Sequence, residues 1–264
     1  EYAERIELAR RGRELAPNDP FPVMNYSGAL MSVGRLRDAL PDALRAASLD
    51  PMHPLNAAAV ARTLENMGRV ADAHAHLDEV FKIQPSSLWT ASAKFMLFFN
   101  AAQLSEAAAY LDASELAGSE LDQVLRLVLA LPSLPHEQRV ALFQNLLASE
   151  QGRPLALTEC MLAAGFGCAD FAFDHLFAAL DSGRGITGLK GNAVHLTRPA
   201  TLNYIFGLAD GKALIADKRF ARFCARVGLV DYWRTSGHWP DCADEVPYDF
   251  KAECEKAARE VVKG

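Results

Sequence analysis

Residues 34–51 read GRLRDALPDALRAASLDP, and the marks within this stretch recur along the chain at one interval. Pro51 stands 34 residues after Pro17 and 34 before Pro85; Gly34 is followed at the same interval by Gly68, and Ala39 by Ala73 and Ala107. Ala46 follows Ala39 by seven residues, two helical turns. Each mark has a physical role in a pair of helices. The glycine ends the first helix in a conformation that a Cβ would penalise, and the alanines let two backbones approach closely. Proline cannot continue the second helix, so it sets the turn into the next unit. A pair this short cannot bury its apolar face alone, and the period therefore predicts stacked units sharing a continuous core.

The order of small residue, small residue, proline at Ala39, Ala46 and Pro51 resembles the tetratricopeptide family over roughly residues 1–116. That resemblance implies an all-α, right-handed superhelix of antiparallel helix pairs. Where the family often carries tryptophan, leucine, glycine and tyrosine, the first helices read Val23, Tyr26, Ser27 and Leu30, then Ala57, Val60, Ala61 and Leu64. Size is kept while identity is loose. In the third unit Ser114 replaces the second alanine and no proline follows, so the array fades by residue 116.

Degenerate pairs are expected over 117–182. Leucines at helical spacing in 121–131 and 137–148, separated by the Pro132–Pro135 turn, suggest one antiparallel pair. Gly167, Ala172 and Ala179 then reproduce the offsets of Gly34, Ala39 and Ala46, placing helices at 155–165 and 169–180. Four glycines in 183–191 predict a loop, and a C-terminal helical cap completes the solenoid to residue 264. The loop lacks the Gly-Lys-Ser/Thr ending and the preceding strand of a phosphate loop. Residues 1–16 read as the second helix of a pair whose first helix lies upstream, so a piece of a longer protein is expected.

Half of the 264 residues are apolar, sufficient for a sizeable core, and no apolar run reaches the roughly 18 residues that crossing a bilayer needs. The net charge of −6 is spread, with Arg10, Arg11 and Arg13 interleaved with Glu4, Glu7 and Glu14. Direct nucleic-acid binding needs a concentrated basic face, and none is evident. Five cysteines, all between Cys160 and Cys254, are odd in number, which favours a reducing compartment and a cytoplasmic location over a disulfide framework.

A second resemblance lies in the run DYWRTSGHWPD at residues 231–241, with Phe220, Phe223, Val227, Gly228 and Leu229 before it. It looks like the tail of bacterial tetratricopeptide proteins in which the array follows a winged-helix DNA-binding domain or a class III adenylate cyclase domain. Cys242 departs from the aromatic that the tail carries there. The resemblance implies an interaction or sensor module of a larger bacterial signalling or regulatory protein, itself not an enzyme and without a cofactor.

In such an array the first helix of each pair lines the concave groove, with every third or fourth residue facing into it. Phased from Pro20, Pro54 and Leu88, the binding stripe is Asn25, Arg62, Asn66, Trp89, Met96, Phe99 and Asn100, with Phe21, Gly28 and Leu55 along it. Asparagines can satisfy the backbone of an extended protein or peptide partner, and the large apolar residues can anchor a side chain. The competing reading is packing against the next unit. Leu55 and Ala59 stand where some members place cations that hold a peptide's terminal carboxylate, so that specificity is not expected. The alternative function is small-molecule sensing for a DNA-binding domain outside this chain, with the pocket near Gly185 and the cysteine-bearing half. No catalytic or metal constellation stands out: His74 and His76 point to different faces and are expected at solvent, and Pro240 interrupts the spacing of His238 and Cys242. Cys160 and Cys168 read as buried inert thiols. Trp233 and Trp239 are expected to lock the C-terminal helices onto the last repeat.

Overall fold

Gly34, Gly68 and Gly167 hold φ of +81°, +75° and +79°, and Ala102, one interval beyond Gly68, holds +58°. All four end a helix with the same two bonds. Gly34 N donates to Met31 O (3.0 Å) and Arg35 N to Leu30 O (3.1 Å); Gly68 N and Arg69 N donate likewise to Glu65 O (2.9 Å) and Leu64 O (2.8 Å). Ala102 N and Gln103 N bond to Phe99 O and Phe98 O, both at 2.9 Å, and Gly167 N and Cys168 N to Ala164 O (3.0 Å) and Ala163 O (2.8 Å). This reciprocal pair satisfies carbonyls that a helix end would orphan, and it requires a left-handed residue.

The computed structural model describes residues 2–84, 87–148, 155–182, 186–187 and 211–261. The four turns join α2 (Pro20–Met31) to α3 (Leu36–Leu49), α4 (Pro54–Asn66) to α5 (Val70–Ile83), α6 (Leu88–Asn100) to α7 (Leu104–Ala113), and α10 (Leu157–Gly165) to α11 (Ala169–Asp181). Ahead of them α1 (Tyr2–Leu15) packs on α2, while α8 (Glu120–Ala130) and α9 (His136–Ala148) lie between the third and last pairs. Short helices follow: α12 (Gly211–Ile215), α13 (Arg219–Arg226), α14 (Leu229–Ser236) and α15 (Phe250–Val261). Leu155–Ala156 and Ile186–Thr187 form a two-residue parallel bridge. No described helix is long and apolar enough to cross a membrane.

Local chemistry sets the helix starts. Asp19 caps α2 by accepting from Phe21 N (2.9 Å), Ser87 caps α6 from Thr90 N (3.3 Å), and Pro20 and Pro54 occupy first-turn positions where a missing N–H costs nothing. Ala39, Ala73, Ala107 and Ala172 have no exposed surface, as close helix contact demands. Leu40 and Ala43 of α3, Val60 and Leu64 of α4, Leu77 of α5 and Leu97 of α6 form one core between successive pairs. Phe95, Phe99, Leu111 and Leu125 continue it into the third pair and α8.

The structure corrects several expectations. Packed adjacent pairs are present throughout, but α8 packs chiefly against α7 and α9 against α10, because the turn at 131–133 directs them to different neighbours. The C-terminal segment does not cap the last pair alone. It closes onto the first: Trp233 Nε1 donates to Val33 O (3.0 Å), Tyr2 Oη to Val227 O (3.1 Å), and Asp241 N to Gly34 O (2.9 Å). Trp233 is fully buried between Trp239 and Phe250, with ring centroids at 6.0 and 5.5 Å. The largest core cluster accordingly joins Leu30, Met31 and Leu36 to Phe173 of α11 and to Phe220, Trp233 and Phe250. His74 and His76 are half-buried rather than solvent-facing; the His74 ring lies 4.9 Å from that of Phe98, since the neighbouring helix covers that side of α5. Pro85, the side chain of Trp89 and the glycine-rich stretch 183–191, apart from Ile186–Thr187, lie outside the described residues.

Candidate functional site

The first-helix stripe is divided among three concavities. The largest, about 510 Å³, lies between α1, α2 and α4. From α2 it takes Phe21, Asn25 and Gly28; from α4, Leu55, Ala59 and Arg62. The 34-residue phase thus brings Asn25 and Arg62 to one site. Phe21, at 72% exposed, and Leu55, at 43%, leave apolar surface at its edge that packing alone does not account for.

Arg5 of α1 also reaches this concavity. Its Nη1 is buried and has no hydrogen-bond partner among the described residues, and burial pulls the guanidinium pKa down from its usual value. Asp50, the acidic residue of the lining, accepts from Met52 N (3.2 Å) within its own turn. Asn56 likewise donates from Nδ2 to Ala46 O (3.3 Å), so its amide serves the fold. The sequence reading missed Arg5 because it sits on a second helix, off the groove stripe. The available signal was its i, i+3 spacing from Tyr2, which is buried on the face of α1 turned toward the molecule.

The second concavity, about 480 Å³, contains Phe99 and Asn100 together with Glu65, Phe166 and Lys212. Asn100 Nδ2 donates to Glu65 Oε1 (2.9 Å), and Phe99 is buried against Phe95 and Phe166, with ring centroids at 5.9 and 5.8 Å. Met96 is half-buried in the same apolar cluster. The third concavity, about 290 Å³, holds Asn66 beneath the C-terminal segment near Arg37 and Asp241. Asn66 Nδ2 donates to Arg62 O of its own helix (3.0 Å). Asn66 and Asn100 therefore commit a donor internally, whereas Asn25 stands exposed.

Cys160, Cys168, Cys224 and Cys254 are buried and form no disulfide, and burial raises the Cys168, Cys224 and Cys254 thiols. His238 is exposed while Cys242 is half-buried. Among the described residues no three His, Cys, Asp or Glu side chains converge as metal ligands. No family model matches the chain, and no curated protein matches it.

Proposed function

We propose that this chain is a non-catalytic interaction module of a larger bacterial signalling or regulatory protein, of tetratricopeptide type, that acts in the cytoplasm and binds a protein or peptide partner along the first helices of its pairs. The observation that carries the reading is the convergence of Phe21, Asn25, Leu55 and Arg62, from two successive units, on one open concavity. Exposed apolar side chains at the edge supply anchoring area, and Asn25 and Arg62 supply polar recognition of an extended backbone. Panning a random peptide library on the whole chain, then titrating a selected peptide by fluorescence anisotropy, tests this. Asn25→Ala combined with Arg62→Ala should weaken the peptide at least about tenfold, the scale of losing hot-spot contacts. Unchanged affinity would sink the reading.

A second reading, the sensing of a small molecule on behalf of a DNA-binding domain outside this chain, is favoured by one feature. A space of about 510 Å³ lies within the range of small-ligand sites. In this reading the sensing site lies in the first two units, while Gly185 is outside the described residues.

A further inference from the structure

We propose that the concavity between α1, α2 and α4 takes a small organic acid, its anionic group held by Arg5 and Arg62 and its apolar body lying against Phe21, Met24 and Leu55. The inference rests on the reading of this concavity as the binding site and names the chemistry it selects.

Arg5 carries the argument. A guanidinium offers five N–H donors and remains charged, and an unpaired N–H withdrawn from water costs free energy in the empty protein. Among the described residues Arg5 Nη1 and, away from this concavity, Arg139 Nε are in that condition, whereas Arg10, Arg13, Arg35, Arg126, Arg219 and Arg226 all reach carboxylates within 3 Å. A carboxylate entering the concavity would meet the part of the Arg5 guanidinium that lines it and supply a counter-charge, and charge-assisted bonds are the stronger class. The lining favours that sign of charge. Arg5 and Arg62 face it, and the single lining carboxylate, Asp50, is engaged with the backbone of its own turn. The body of the ligand follows from Met24, Met31, Leu55 and Ala59, which make the walls largely apolar and adaptable. An acid without an apolar part would leave those walls uncovered.

Isothermal titration of the whole chain with 4-phenylbutyrate, octanoate and indole-3-acetate, each against its neutral carboxamide, tests the proposal. At least one acid should bind saturably below about 1 mM, with its amide weaker by roughly tenfold or more, as expected for lost charge-assisted bonds. Arg5→Met should lose that discrimination and melt no lower than the unaltered protein, because it removes a half-buried guanidinium whose Nη1 has no partner among the described residues; Arg5→Lys should keep part of it. Equal binding of acid and amide, or retained discrimination in Arg5→Met, overturns the anionic ligand and leaves the binding site standing. Absence of binding by all three acids also overturns the proposal, and a library-selected peptide still lost on Asn25→Ala/Arg62→Ala would then show that the failure is confined to it.

Discussion

Asp241 caps a helix from far along the chain: its Oδ2 accepts at 2.8 Å from the N–H of Arg37, 204 residues before it in the first turn of α3. Arg35, the residue in the capping position of that helix, makes no side-chain cap. The same aspartate donates its own N–H to Gly34 O (2.9 Å), so one residue of the C-terminal segment serves both sides of the first left-handed turn.

Replacing Asp241 by alanine should therefore lower stability by about 1 kcal/mol, the usual worth of an N-cap, with Asn losing less. Glu245→Ala, which removes only the exposed ion pair to Arg37 at 3.1 Å, should change stability by under about 0.5 kcal/mol. Urea denaturation of the three variants compares them directly, and equal midpoints for Asp241→Ala and the parent would mean that water caps α3 equally well.

Ala102 does at the third turn what Gly34 and Gly68 do at the first two, with φ +58° against +81° and +75°. A left-handed alanine is strained by roughly 1–2 kcal/mol, partly offset by the freedom glycine adds to the unfolded chain. Ala102→Gly should thus stabilise the protein by about 0.5–1 kcal/mol, and Gly68→Ala, whose Cβ would meet nothing within 4 Å, should destabilise it through the backbone alone. A lowered melting temperature for Ala102→Gly in calorimetry contradicts this account.

The turns and small-residue contacts were legible because they depend on neighbours a few residues away. Gly34, Ala39 and Ala46 announce a helix end and a close approach whatever lies beyond them, and Gly167, Ala172 and Ala179 do so again after the period has slipped. Pairing beyond the turn was not legible in that way. Nothing local to Trp233 says that its indole meets Val33 rather than the last pair, since both offer an apolar surface and a free carbonyl. The stripe brought Asn25 and Arg62 to one site by phase alone. Arg5 escaped because it arrives from a neighbouring helix, and that its Nη1 has no partner among the described residues becomes visible only in three dimensions.

Acid should loosen the second pair. Burial lowers the pKa of His76 and of His74 below the unperturbed 6.5, and the Nε2 of His76 is buried without a hydrogen-bond partner among the described residues. The unfolded state then binds more protons than the folded one, so this stabilisation is complete above about pH 6.5 and is lost as pH falls below it. Melting curves between pH 7.5 and 5 should show the decline, shallower in a His74→Phe/His76→Leu variant. A parallel decline in that variant would assign the effect to other groups.

The thiols should be slow to alkylate. Burial pushes Cys242 and Cys254 up to about 12 and raises Cys224 well above the ordinary thiol value, so little thiolate exists at pH 8. Ellman's reagent should react with few of the five thiols of the native chain within minutes and with all five in guanidinium chloride. Rapid native reaction of Cys224 or Cys254 would show that α13 and α15 separate readily.

The bond from Tyr2 Oη to Val227 O spans 225 positions of the chain. A strictly linear array can complete each unit as it leaves the ribosome, because every unit needs only its neighbour. Here the surface formed by α1, Met31 and Leu36 must wait for α13, α14 and α15, on the order of 10–40 s of synthesis at the usual elongation rates. During that interval α1, α2 and α3 present an uncovered apolar face. Nascent chains halted before residue 211 should be the species that holdase chaperones retain, and release should coincide with the arrival of Trp233.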